Sequence, residues 1–200
     1  MIKRISCFIM AIMISLLLSS TTLAESFSIR NGISFGMSVE EVKAKESDLN
    51  FEELSEEDYN RGFYPYEITL NAKITMLGNN NTELFYSFNN DALEQIGMFL
   101  RGSKKADVDT LFKALTEKYG QYTKHITNYK DASEYASNRV GDIVVLGGEA
   151  LEWIINDEKG IISICLILDY YNQSQIYYRL TPNSVLQKDR DRIDELKNGI

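Results

Sequence analysis

Between Tyr66 and Met76 apolar and polar residues alternate without a break. Tyr66, Ile68, Leu70, Ala72, Ile74 and Met76 fall on one side, with Glu67, Thr69, Asn71, Lys73 and Thr75 on the other. A helix turns every 3.6 residues and cannot sort residues this way, whereas a strand with one buried face must. The stretch predicts a half-buried strand, or two joined by a bulge. Gly78-Asn79-Asn80-Asn81 reads as a turn, Thr82 to Phe88 as the next strand, Asn89-Asn90-Asp91 as a second turn and Leu93 to Arg101 as a third strand. Glycine and asparagine accept the left-handed backbone that tight hairpins demand, so these pieces make an antiparallel meander.

A helix precedes the meander. Ser38 followed three residues on by Glu41 forms a capping box, in which each side chain satisfies a backbone donor at a helix start. Met37 and Val42 stand at the positions of a hydrophobic staple, and Glu40 and Glu41 before Lys43 and Lys45 suit the helix dipole. The helix is expected over about 39–47. A second helix is expected to begin at a capping Asp107, with Val108, Leu111, Phe112, Leu115 and Tyr119 as a core-facing stripe and Gly120 at its end. Residues 121–140 read as a long loop, and strands follow at 142–146, 150–156, 160–170 and 175–180. Both halves share a grammar of capped helix, excursion and meander, which suggests a tandem repeat. The fold class is therefore α+β, as two tandem helix-plus-antiparallel-meander modules. Residues 25–102 form the first and 103–182 the second, and 183–200 are a charged tail, frayed helix or disordered.

Gly36-Met37-Ser38-Val39-Glu40-Glu41-Val42 resembles the helix start of small envelope proteins of the SmpA/OmlA type, and the tandem layout resembles the beta-lactamase inhibitor protein family. The resemblance implies two helix-plus-sheet modules whose sheet surface or loops bind another protein without catalysis. Envelope members of the first type carry a lipid-anchoring cysteine that this chain lacks, and the inhibitors carry disulfides within their repeats that it also lacks.

Residues 1–24 read as an address. Lys3 and Arg4 precede an apolar run from Ile5 to Leu18, and Thr22 and Ala24 supply the small residues of a cleavage site before Glu25. The run is shorter than the roughly 20 residues a spanning helix needs. Glu25 stands where a lipoprotein needs cysteine, so soluble export to the periplasm or the medium is expected. Loss of Lys3 and Arg4 removes no acid and leaves 19 basic against 29 acidic residues. It also removes Cys7, so Cys165 is the only cysteine left and an intrachain disulfide is impossible. Stability must come from the core.

The charge disfavours nucleic acid as a partner. A single histidine, His125, has no acid near it in sequence and reads as a surface residue. With one apolar cysteine beside it the chain offers no four-ligand metal set, and neither metal nor cofactor is expected. Cys165 lies in the apolar run Ile161 to Leu168 and reads as an inert core thiol. The seven acids between Glu46 and Asp58 read as a solvated segment, with steering of a basic partner as the sharper alternative. Gly147-Gly148 reads as a turn.

The positive feature is aromatic, with 12 tyrosines and one tryptophan. Such side chains are enriched in interfaces, and they are also good strand formers. Trp153, Tyr170, Tyr177, Tyr86 and Tyr66 are the candidate binding residues. Two readings follow. In the first the chain is an exported, non-catalytic protein-binding module, an inhibitor or envelope assembly factor. Its partner is another envelope or secreted protein, or a second copy of itself, met through an exposed tyrosine-rich sheet face without a polar cleft. In the second it is a small carboxylate-dependent hydrolase or a glycan-binding protein, with a groove that brings acids together beside Trp153 or the tyrosines.

Overall fold

The computed structural model of the chain describes residues 27–54, 66–128, 148–169 and 173–198. In chain order they form helix α1 (Val39–Lys45), strands β1 (Glu52–Glu53), β2 (Ile68–Met76), β3 (Asn79–Asn89) and β4 (Ala92–Arg101), helix α2 (Lys105–Tyr119), strands β5 (Lys124–Ile126), β6 (Gly148–Asp157), β7 (Gly160–Asp169) and β8 (Gln173–Pro182), and helix α3 (Asn183–Asn198). All eight strands join one sheet in the order β1-β2-β3-β4-β8-β7-β6-β5, antiparallel throughout. The chain is α+β, and the two expected sheets are one continuous sheet, joined where β4 pairs with β8 from Gln95↔Arg179 to Arg101↔Gln173.

Tight turns set the register. Asn90 and Asp91, at φ 50° and 55°, make the β3–β4 turn where the asparagine-rich sequence placed it. The β2–β3 turn falls earlier than expected, at Leu77 and Gly78 with φ 51° and 75°, so Asn79 to Asn81 already belong to β3. Successive positive φ values match the twist of the flanking strands, which favours this two-residue turn even with a leucine in it. Asn79 then ties the hairpin to the next strand by donating from Nδ2 to the Arg101 carbonyl at 2.8 Å.

The alternation resolves into two faces. One carries Leu70, Leu84, Tyr86, Phe88, Ile96, Met98, Leu100, Leu151, Trp153, Ile162, Ile164, Leu166, Ile176, Tyr178 and Leu180, and it packs against Val39 and Val42 of α1 and Leu111 and Leu115 of α2. The opposite face carries a smaller buried cluster of Ala150, Cys165, Ile167 and Tyr177 with Phe99 and Ile126. Buried Thr69, Ser87, Gln95 and Gln175 share that face. Both faces of β7 are thus covered, as its unbroken apolar run requires. Cys165 is a buried free thiol. Tyr66, two residues before β2, leaves the alternation and bonds to Gln95 on the second face.

The α1 capping box is present: Ser38 Oγ accepts the Glu41 N–H at 3.2 Å and Glu41 Oε2 accepts the Ser38 N–H at 2.8 Å. These hydrogen bonds hold the exposed Glu41 carboxyl below its usual range, with the backbone bond to Ser38 the largest cause. Helix α1 stops at Lys45, slightly short of expectation. Helix α2 begins at Lys105, before the expected cap. Asp107 lies within its first turn and reaches back to accept the Lys104 N–H at 2.9 Å. The tail is helical from Asn183 to Asn198.

Glu46 corrects the reading of the acidic segment as solvated. It is fully buried, takes the Tyr86 hydroxyl at 2.7 Å and the Asn31 amide at 3.0 Å, and lies 2.7 Å from Arg30 Nε. The carboxylate pins the leading loop to β3, something its acidic neighbours in sequence do not disclose. The expected leader (1–24), the strand at 142–146, acids Glu56 to Asp58, and Tyr170 lie outside the described residues.

Candidate functional site

Four of the five aromatic candidates are core residues. Trp153 is 1% exposed, Tyr86 0%, Tyr177 2% and Tyr66 7%, so none of them presents a ring to a partner. Each polar tip has an internal acceptor: Trp153 Nε1 donates to the Gly120 carbonyl at 2.9 Å, Tyr86 to Glu46, Tyr66 to Gln95 at 3.1 Å and Tyr177 to Gln175 at 2.8 Å. Burial pushes the Tyr66 phenol up to about 12 and raises those of Tyr86, Tyr177 and Tyr178 as well. Tyrosine is a good strand residue when its hydroxyl finds a partner, and here the packing role prevails. The fifth candidate, Tyr170, lies outside the described residues.

The notable concavity lies elsewhere, where α2 crosses the β5–β6–β7 end of the sheet. A cleft of about 430 Å³ opens there. One wall is a single face of α2, since Lys105, Val108, Asp109 and Phe112 stand at i, i+3, i+4 and i+7. The other wall comes from the sheet. His125 pairs with Leu151 across β5–β6, and Glu149 is the diagonal neighbour of His125 on the same face. Glu149 Oε2 lies 2.6 Å from His125 Nε2, and an ionised carboxylate there fixes the proton on that nitrogen.

Behind this pair sits an aromatic cluster. Tyr122 meets the His125 ring edge-on with centroids 5.4 Å apart, and it lies 6.2 Å from Phe112 and 6.3 Å from Trp153. Phe112 is 6.4 Å from Trp153. The Lys105 and Asp109 side chains, 86% and 54% exposed and 3.1 Å apart, mark the mouth. Ser103, Leu151 and Ser174, at 6%, 4% and 1% exposed, mark the inner end. The cleft therefore grades from paired charges outward to hydroxyls and hydrocarbon inward.

Of these residues, sequence reasoning singled out His125 and dismissed it for want of a nearby acid. The acid is 24 positions away, brought close by strand pairing. Leu111 and Leu115 are buried as expected and the half-buried Phe112 packs against the core, whereas Val108, also expected there, lines the cleft. Nothing in the sequence separated them, because the α2 stripe has the ordinary width of one core-facing helix face.

His125 hydrogen-bonds to Glu149 and to no serine, threonine or cysteine, so the activated nucleophile that defines a hydrolytic triad is not assembled among the described residues. Nor do the described residues gather three or more histidine, cysteine, aspartate or glutamate side chains that could hold a metal ion. No helix among them is long and apolar enough to cross a membrane. No family model matches the chain, and no match was found among curated proteins or solved structures.

Proposed function

We propose that the chain is an exported, non-catalytic binding protein that receives a small ligand in the cleft between α2 and strands β5 to β7. The observation that carries this reading is the cleft itself: about 430 Å³, with two aromatic rings on its walls and a His125–Glu149 pair at its side. Its volume falls in the range of small-molecule sites, and its mixture of apolar walls with a few convergent polar groups is their usual composition. Export rests on the leader-like residues 1–24. Binding without catalysis agrees with the residues around His125; the resemblance to the inhibitor proteins likewise implies no catalysis, with another protein as the partner. The tandem reading draws support from the element order. A helix, a short strand and three long strands occur twice, and the two sets meet at β4 and β8.

The test is chemical-shift mapping of the purified full chain against mixtures of carbohydrates, amino acids, nucleosides, polyamines and fatty acids. Perturbations confined to residues around Phe112, Tyr122 and His125, and lost in Phe112→Ala, are expected. Perturbations elsewhere, or none with any mixture, would overturn the reading.

A further inference from the structure

The leading loop turns at Arg30-Asn31-Gly32-Ile33, where the Ile33 N–H donates to the Arg30 carbonyl at 2.7 Å. Asn31 and Gly32 hold the two central positions at φ 47° and 71°, a left-handed pair that suits asparagine followed by glycine. Both are exposed, whereas Ile33 is buried in the core. This dipeptide also reacts with itself. Glycine has no side chain to hinder its backbone nitrogen, which can attack the asparagine side chain before it. The Gly32 nitrogen bonds to Asn31 Cγ and gives up its proton, the bond from Cγ to Nδ2 breaks, and Nδ2 leaves as ammonia with that proton. A cyclic imide remains. Water from the solvent opens it at either carbonyl, leaving an aspartate or an isoaspartate carboxylate where the amide stood.

The fold sets what this reaction does. Asn31 Nδ2 donates to Glu46 Oε2 at 3.0 Å. That carboxylate is fully buried, and it also takes the Tyr86 hydroxyl and the Arg30 guanidinium. Reaction needs Cγ to face the Gly32 nitrogen while Nδ2 departs, and a hydrogen bond anchoring Nδ2 opposes both. Once the amide has become a carboxylate, the donor is gone and a second negative charge stands beside Glu46. The isoaspartate product further adds a backbone carbon to a turn closed by a single short hydrogen bond.

We infer that Asn31 is a site of spontaneous deamidation, restrained by Glu46, and that its product releases the leading loop from Glu46 and β3. The change runs one way, since the ammonia is lost. Glu46 is thus both the group that slows the reaction and the group its product repels.

The experiment ages the purified full chain in warm, mildly alkaline buffer, folded and in concentrated urea, and follows amide-to-acid conversion by peptide mass spectrometry. The chain supplies a comparator, because Lys197-Asn198-Gly199-Ile200 repeats the context basic-Asn-Gly-Ile. In urea both asparagines should convert at similar rates. In the folded chain Asn31 should convert about tenfold more slowly than in urea, as a reaction that waits for local opening does. Glu46→Ala should remove most of that lag, and Tyr86→Phe, which leaves the Asn31–Glu46 bond in place, should keep it. Asn31→Asp, which makes the aspartyl product directly, should melt about 5 °C lower and exchange its Ile33 amide hydrogen faster. Conversion of Asn198 but not Asn31 in urea would overturn the site. Equal Asn31 rates in the folded chain and in urea would overturn the restraint, as would a lag that Tyr86→Phe removes as fully as Glu46→Ala. An Asn31→Asp protein with unchanged melting and Ile33 exchange would overturn the release of the loop. Should Glu46→Ala fail to fold, the folded-against-urea comparison and Asn31→Asp decide the matter alone.

Discussion

Replacing Glu46 with alanine removes the acceptor shared by Tyr86, Asn31 and Arg30. The carboxylate is 0% exposed, as is Tyr86, so the phenol left behind cannot turn to water. The Arg30 side chain, 28% exposed, can, and this limits its share of the loss. Removing one partner of a buried ion pair costs about 3–5 kcal/mol, a figure that includes the newly orphaned groups. We expect a loss of about 4 kcal/mol, a large part of the roughly 5–15 kcal/mol that holds a domain folded. At about 2–4 °C per kcal/mol this lowers the melting temperature by about 8–16 °C. Urea unfolding followed through Trp153 emission and circular dichroism measures it, with the slope against denaturant unchanged. The companion variant Tyr86→Phe separates the network from mere packing. It should destabilise the parent protein but be neutral or stabilising beside Glu46→Ala, where its hydroxyl has already lost its acceptor. A loss below about 1 kcal/mol for Glu46→Ala, or equal effects of Tyr86→Phe in both backgrounds, would refute the reasoning.

Alkaline stability follows from the buried phenols. Tyr66 holds its proton to about 12 in the folded protein against 10.0 ordinarily. Between those values the unfolded chain has released a proton that the folded chain keeps, so stability is fully present below the lower value and falls as pH rises toward the higher. Tyr66 alone accounts for about 3 kcal/mol, and the raised Tyr177 acts in the same direction. A urea midpoint that holds steady from about pH 9 to about pH 12 would count against this linkage. Gly160 opens β7 at φ 154°, and a side chain there would run into the carbonyl of Thr181 on the paired strand. Gly160→Ala should cost about 3 kcal/mol or more, and an unchanged melting temperature would show that the β7–β8 register yields more easily than the geometry implies.

The two hairpin faces, the α1 cap and the buried thiol were legible because each depends on neighbours in sequence. Ser38 and Glu41 are three residues apart, and the alternation of β2 needs only its own period. Where a residue's role depended on distant partners, local reading failed in both directions. Glu46 was grouped with solvated acids although its partners Arg30 and Tyr86 lie 16 and 40 positions away. His125 was set aside although β5–β6 pairing brings Glu149 to it. The tyrosines were taken for a binding face because composition records that a ring is present and not which side of a sheet it occupies. Val108 and Phe112 share a helical stripe with Leu111 and Leu115, and only the position of α2 on the sheet decides that the leucines are enclosed while Val108 and the core-packed Phe112 also line the cleft.

By itself, then, the sequence determined that the chain would build capped helices and antiparallel strands, since periodicity, turn residues and caps act over a few positions. Tertiary structure alone decided that the strands close ranks in one eight-stranded sheet, that Glu46 is buried and that a cleft opens beneath α2. Those outcomes depend on which faces meet after the chain has turned back on itself, and burial and charge pairing are properties of that meeting.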